Sequence, residues 1–114
     1  MKMTAGGFSI LRKSFGSLNQ DQVDNINLII EYCNKYSLEY NQVAYVLATA
    51  WHETNQTMLP VIEAYWLSED WRKKNLRYYP WYGRGFVQLT WEDNYKLADK
   101  KLGLNGEILK NPSL

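Results

Sequence analysis

The stretch QVAYVLATAWHET, residues 42–54, decides the fold. Its residues up to Trp51 are mostly apolar and cover nearly every face of a helix, which is typical of a helix buried on most sides. Asn41 is a suitable N-cap. The stretch then ends abruptly in three polar residues, His52, Glu53 and Thr54, an ending that buried helices do not usually have. We predict a helix over 42–54 with functional groups at its C-terminal end.

Other parts of the chain also show helical patterns. Apolar residues recur at three- and four-residue spacing in 21–36, which predicts one amphipathic helix; the stripe comprises Val23, Ile26, Ile30 and Cys33. Residues 1–18 are interpreted as an irregular or short helical lead-in. A short helix is expected from an N-cap at Ser68 to Asn75.

A last helix is predicted from Trp91 to Lys101, with Thr90 and Asp93 as a capping box and Gly103 at its end. Before it, residues 83–85 form a turn, and 86–89 form a short strand or an extended connection. The predicted fold class is therefore mainly α, with at most a very small sheet.

Length, charge and composition limit the function classes. A chain of 114 residues predicts a single domain over 1–114, and we expect a monomer. The net charge of +1 gives no bulk attraction to nucleic acid or membranes. One cysteine, Cys33, excludes an internal disulfide, and one histidine with one cysteine is too few for a common zinc site, so we expect neither metal nor cofactor.

The sequence also has no signal peptide pattern in residues 1–17 and no run of about 20 apolar residues. We therefore expect cytoplasmic synthesis and no stable membrane insertion. Work outside the cytoplasm would require another component to release the protein.

Glu53 is the strongest candidate for chemistry. It follows Ala50 and Trp51, so we expect an apolar wall beside its carboxyl group, which favours the protonated form. A protonated glutamic acid is what general-acid cleavage of a glycosidic bond requires. The alternative is a salt-bridged residue at a helix end.

A second carboxylate would activate water across the cleft. Pro60 interrupts the helix after Glu53, so the chain can turn and bring Glu63 to that position. Glu69 is the alternative, although a residue in the first turn of a helix has a simple dipole role.

The glycine-flanked turn and the residues after it could bind a substrate. Glycines at 83 and 85 allow close approach of a ligand to the backbone, and Arg84 could hold a carboxylate. Gln88 and Thr90 would share one face of an extended segment, with Asn94 on the same side. Tyr82 and its aromatic neighbours could stack on sugar rings or on bases, and His52 is a structural hydrogen-bond partner or a substrate contact.

Two blocks carry a resemblance to a known family. ATAWHET, residues 48–54, is similar to the helix ending in His-Glu-Thr of the family 19 glycoside hydrolases, the chitinase and phage endolysin group. YGRGFVQLTWEDNY, residues 82–95, is similar to that family's signature Tyr-Gly-Arg-Gly-x-x-Gln-Leu-(Ser/Thr)-x-x-x-Asn-Tyr. The blocks stand in the family's order, and the similarity extends over about residues 40–114.

This resemblance implies a lysozyme-like, mostly α fold and an inverting mechanism. It implies that Glu53 is the general acid, that Gln88, Thr90 and Asn94 line the cleft, and that Thr90 helps to place the attacking water. In the bacterial and phage branch the base follows after a short interval, which favours Glu63. Two departures stand out: residues 55–57 replace the glycines of plant chitinases, and the chain ends at 111–114, where family members continue with further helices.

The sequence thus predicts an endolysin-like muramidase or glucosaminidase that cleaves β-1,4 bonds of peptidoglycan. The basic run from Arg72 to Arg84, which contains no acidic residue, favours an anionic cell wall over chitin. A chitinase and a catalytically weak saccharide-binding remnant are the alternatives. Nucleic-acid binding is a distant third reading, and it would show as a steep salt dependence of affinity.

Overall fold

A computed structural model describes residues 2–113. Of these described residues, 56% lie in helices and almost none in strands, which confirms the predicted mainly α class. The helices are α1 (Ala5–Phe15), α2 (Gln20–Lys35), α3 (Tyr40–Glu53), α4 (Glu69–Asn75), α5 (Glu92–Leu102) and α6 (Glu107–Lys110). Within residues 2–113, none of these helices combines the length and the hydropathy that crossing a membrane requires.

The chain divides into two compact units at the bond between Leu59 and Pro60. The N-terminal unit contains α1, α2 and α3, and the C-terminal unit contains α4, α5, α6 and the turns between residues 60 and 91. A single lysozyme-like domain over 1–114 stays a prediction.

The apolar stripe of α2 forms the core of the N-terminal unit, as predicted. Ile26, Ile30 and Cys33 are buried, together with Ile29, while Val23 is half-buried. Burial of each aliphatic side chain contributes roughly 1.5–3 kcal/mol. The helix begins at a reciprocal capping box between Asn19 and Gln22, so its start is fixed by sequence-local hydrogen bonds.

The lead-in contains a complete helix, α1. The Thr4 hydroxyl accepts a hydrogen bond from the Gly7 N–H at 2.9 Å, which caps its first turn. The helix ends at Gly16, whose φ of +85° suits glycine. Phe8 is its buried anchor, so the segment is longer and more regular than expected.

Helix α3 differs from the prediction at its start and in its burial. It begins at Tyr40 after a cap at Glu39, rather than after Asn41. Only Val43 and Ala50 are buried, while Ala44 and Ala48 are exposed. The prediction that α3 is buried on most sides is therefore wrong, because within its unit α3 packs along one face against α2.

The C-terminal unit confirms the cap at Ser68 and the left-handed Gly103 that ends α5. The capping box at Thr90 is wrong. The Thr90 hydroxyl donates to the Gln88 carbonyl at 2.8 Å instead, and Trp91 takes the N-cap position. Helix α6 was not predicted: its start depends on the buried Asp99 carboxylate, which accepts hydrogen bonds from the backbone N–H groups of residues 106 and 108.

The turn spans residues 85–88, so the predicted turn over 83–85 and the predicted strand or extended connection over 86–89 are both wrong. Arg84 and Leu89 exchange two backbone hydrogen bonds of 3.2 and 3.0 Å across it, and Gln88 has a φ of +56°. Isolated bridges join Arg84 to Ile62 and to Leu89. The expectation that Gln88 and Thr90 alternate along one extended face is therefore wrong, because closing this turn requires a positive φ at Gln88.

Candidate active site

The Glu63 carboxylate lies against Gly83, just before the turn at residues 85–88 of the C-terminal unit. The Tyr78 hydroxyl donates to its Oε1 at 2.5 Å, and the Gly83 backbone N–H donates to its Oε2 at 2.8 Å. The Glu63 backbone N–H in turn donates to the Gly83 carbonyl at 2.7 Å. Each carboxylate oxygen keeps a second lone pair, so this half-buried group is fixed in orientation and can still accept a proton.

Tyr78 is held in its neutral form by this arrangement. Burial and the hydrogen bond to Glu63 together raise the pKa of Tyr78 to about 12. The contact therefore joins a fixed donor to a fixed acceptor.

The glycines on either side of Arg84, Gly83 and Gly85, are each required by the local geometry. A Cβ atom on Gly83 would lie 2.5 Å from the Oε1 atom of Gln88, which is closer than real contacts allow. Gly85 has a φ of +86°, a conformation that L side chains rarely adopt. The absence of a side chain at residue 83 therefore leaves room for the Gln88 side chain.

Gln88, Thr90 and Asn94 follow one another in a chain of contacts. The Gln88 amide donates to the carbonyls of Val61 and Gly85 at 2.9 and 3.0 Å. Asn94, which is exposed, donates to the Thr90 carbonyl at 2.9 Å. These contacts and the bond from Thr90 to Gln88 bring the three predicted residues together, while their contact with a substrate stays a prediction.

The side chains of Tyr82 and Arg84 are used within the turn region. Tyr82 is buried, and the Arg84 guanidinium carbon lies 3.8 Å from the centre of its ring. Arg84 Nη1 also donates to the Pro80 carbonyl and to the Tyr95 hydroxyl, each at 2.9 Å. Both residues therefore stabilise the turn, and their predicted substrate contacts stay predictions.

Glu69, the alternative base, is tied into a different network. Its carboxylate accepts hydrogen bonds from Tyr79 at 2.8 Å, from Tyr82 at 3.0 Å and from Arg72 Nε at 3.0 Å. The hydrogen bond from Tyr79, followed by those from Arg72 and Tyr82, lowers the pKa of Glu69 against the opposing effect of burial. Because its two oxygens accept hydrogen bonds from three donors, Glu69 resembles a carboxylate with a structural role, and this geometry favours Glu63 as the base.

Sequence reasoning missed the role of Arg72. Its side chain is buried, and Nη1 donates to the carbonyls of Ala64 at 2.8 Å and Leu67 at 3.0 Å. A weaker contact reaches the Glu63 carbonyl at 3.4 Å. Arg72 thereby fixes the backbone just after Glu63. The only sequence signal was its place in the basic run, which does not reveal burial.

Glu53 and His52 lie in the last turn of α3, in the N-terminal unit, and both are exposed. The apolar wall expected beside Glu53 is not observed. Ala50 is fully buried, and the Trp51 ring packs on Phe15 with ring centres 5.2 Å apart. The apolar side chains before Glu53 are therefore used for packing within the unit.

No group of three or more His, Cys, Asp or Glu side chains suited to a metal ion occurs among residues 2–113. Comparisons of the chain with protein-family models, curated proteins and solved structures found no match. Any assignment of function therefore depends on the two sequence motifs and on the contacts described above.

Proposed function

We propose that the protein is a glycoside hydrolase with a lysozyme-like fold that cleaves β-1,4 bonds of peptidoglycan. One observation supports this most directly. The Gly83 N–H, within the block that resembles the family 19 signature, holds the Glu63 carboxylate at 2.8 Å. The block that carries the resemblance and the candidate base are thus joined by a direct hydrogen bond, which supports a role for both in one site.

In the proposed reaction the Glu53 carboxyl donates its proton to the glycosidic oxygen, and the bond from that oxygen to the anomeric carbon breaks. Glu63 accepts a proton from a water molecule that attacks the anomeric carbon from the opposite side. The product therefore has the inverted anomeric configuration. Tyr78 and Gly83 keep the Glu63 carboxylate oriented toward the water, and Thr90 helps to place that water.

Exposed aromatic rings support a saccharide substrate. Tyr65 and Trp66 follow Glu63 closely in the chain and are 43% and 69% exposed. Their rings meet edge to face at 5.2 Å. Flat exposed rings of this kind suit the apolar faces of sugars. Lys73 and Arg77 are the members of the basic run that are exposed and have no ion pair among the described residues, and they suit an anionic wall more than neutral chitin.

The test measures new reducing ends on purified peptidoglycan and identifies the cleaved bond by mass spectrometry. We expect Glu53→Gln and Glu63→Gln each to lower kcat by about 10²–10⁴-fold, the usual contribution of a general acid or base. NMR of the first product should show the inverted anomer. Glu31→Gln on α2 and Glu107→Gln on α6 are matched controls in the two units, because both side chains are exposed.

Circular dichroism would establish that each variant is folded. A kcat within tenfold of the wild type for folded Glu53→Gln would contradict the assignment of the acid. Release of reducing ends from chitin but not from peptidoglycan would select the chitinase alternative.

Saccharide binding without hydrolysis is a second candidate, favoured by one observation. Both oxygens of Glu63 already accept hydrogen bonds from the chain itself, as in a purely structural carboxylate. This candidate predicts that peptidoglycan fragments bind but that no reducing ends appear at any pH.

A further inference from the structure

An aromatic and cationic surface lies beside Glu63, and the proposed mechanism does not use its two exposed residues, Arg77 and Trp91. It consists of Arg77, Tyr78 and Trp91. The Tyr78 and Trp91 ring centres are 4.8 Å apart, and the Arg77 guanidinium carbon lies 5.3 Å from the centre of the Trp91 ring. Since the hydroxyl of Tyr78 donates a hydrogen bond to Glu63, this surface adjoins the candidate base.

Trp91 is presented outward at a conformational cost. Its φ is +75°, which is rare for a bulky residue, and backbone strain of this kind clusters at functional sites. Its backbone N–H is anchored on the Trp81 carbonyl at 2.8 Å. The side chain nevertheless remains 45% exposed, so the anchored backbone does not serve to bury the ring.

Arg77 supplies a charge that the chain leaves unmatched. Within residues 2–113 no carboxylate lies within ion-pair distance of it, and the residue is exposed. The Arg77 guanidinium lies within cation–π distance of the Trp91 ring, a contact that uses none of its N–H groups. A planar guanidinium with free edges binds carboxylates through two parallel hydrogen bonds.

We propose that Arg77 and Trp91 form a subsite for a sugar that carries a carboxylate. In this subsite the Trp91 ring stacks on the sugar and Arg77 binds the carboxylate of its ether or peptide substituent. The inference rests on the proposed function, and it narrows the substrate to acid-bearing amino-sugar polymers. Chitin lacks such a carboxylate, so the subsite discriminates between the two candidate polymers.

The test is a binding titration with three tetrasaccharides in the Glu53→Gln background, where no ligand is consumed. The first is an N-acetylglucosamine and N-acetylmuramic acid tetrasaccharide with free carboxylates, the second is its methyl amide, and the third is chitotetraose. The acid and the amide have the same sugar rings but differ in charge. The NMR signal of the Trp91 indole N–H reports binding at the subsite.

We expect the acid to bind about tenfold more tightly than the amide or chitotetraose. Arg77→Gln should abolish that preference, and Trp91→Ala should weaken binding of all three ligands about five- to tenfold. Lys73→Gln is the matched control: it removes one charge from an exposed position of the same basic run, and it should leave the preference intact.

Persistence of the acid preference in Arg77→Gln would overturn the proposal, and so would its loss in Lys73→Gln, which indicates attraction by general charge. Failure of the proposed function is a separate result. If the wild type releases no reducing ends while the preference still depends on Arg77, the subsite stands and the hydrolase does not. If wild-type hydrolysis occurs but Arg77→Gln treats acid and amide as the wild type does, the hydrolase stands and the subsite does not.

Discussion

Substitution of Arg72 by methionine should destabilise the C-terminal unit and loosen the backbone that carries Glu63. Methionine keeps much of the apolar volume of the arginine stem but has no donor. The carbonyls of Ala64 and Leu67 would lose partners at 2.8 and 3.0 Å. The Glu69 carboxylate would lose a cation but keep its tyrosine donors.

The expected loss is about 3 kcal/mol. Hydrogen bonds to a charged group contribute about 1.5–3 kcal/mol each, and two short ones are lost. We use the lower value because both carbonyls belong to residues 64 and 67, which are half-buried and can gain water. Glu69 adds little, since its side chain is 53% exposed and water replaces the lost partner.

Urea unfolding measures the loss, and hydrogen exchange locates it. Exchange should accelerate at the backbone N–H of Leu67, which donates to the Ala64 carbonyl at 2.8 Å. Arg72→Lys should recover part of the stability, because an ammonium group can replace one donor but not the planar fork. Lys74→Met, which removes an exposed pair with Asp70, should cost at most about 0.5 kcal/mol. A loss below about 1 kcal/mol in Arg72→Met would refute the role of Arg72 in fixing this segment.

Three further predictions concern other contacts. Gly83→Ala should cost roughly 1–3 kcal/mol from overpacking against Gln88. Gly6→Ala, whose added Cβ in α1 would meet only the Thr4 hydroxyl at an ordinary contact distance of 3.8 Å, should gain about 0.5–1 kcal/mol. Thermal melts that shift equally in the two variants would contradict this. Asp99→Ala should lower the free energy of unfolding by about 2 kcal/mol and unfold α6, because two backbone N–H groups lose their acceptor. Asp99→Asn should retain part of that stability. Unchanged hydrogen exchange at the Ile108 N–H in Asp99→Ala would contradict this prediction. Because the pKa of Tyr78 is raised from 10.0 to about 12, its contribution to the free energy of unfolding is present below pH 10 and is lost as the pH rises to about 12. NMR titration of ζ-labelled tyrosine should show a lower midpoint for Tyr78 in Glu63→Gln. An unchanged midpoint would exclude the contact between Tyr78 and Glu63.

The sequence predicted helices well where the deciding forces are local. The stripe of α2, the cap at Ser68 and the stop at Gly103 depend on residues within one or two turns of each other. The start of α6 depends instead on Asp99, seven and nine residues before the N–H groups that it accepts. The burial of α3 was predicted wrongly for a related reason, since composition describes a helix but not the number of partners in its unit.

The candidate site divides in the same way. The glycines at 83 and 85 were predicted to let a ligand approach the backbone, which stays a prediction, whereas in the structure the Gly83 N–H binds the Glu63 carboxylate. The partner Tyr78 lies fifteen residues from Glu63, a separation with no helical or strand periodicity to reveal it. The aromatic residues around it predicted stacking on sugar rings or bases, and that pattern does not indicate a hydrogen bond from the Tyr78 hydroxyl to Glu63.

The contacts of Glu63 also explain why the signature residues occur together. Gln88 can reach the Val61 carbonyl only because residue 83 has no side chain, and that bond holds the segment that leads into Glu63. Arg84 stacks on Tyr82, whose hydroxyl binds Glu69, and Glu69 pairs with Arg72, which fixes the carbonyls after Glu63. Gln88, Arg84 and Tyr82 therefore act on Glu63 through the backbone on one side of it or the other. Substitutions of Gln88 or Arg84 should accordingly lower kcat by displacing a carboxylate that they never touch, with little effect on KM, whereas loss of a direct substrate contact would raise KM.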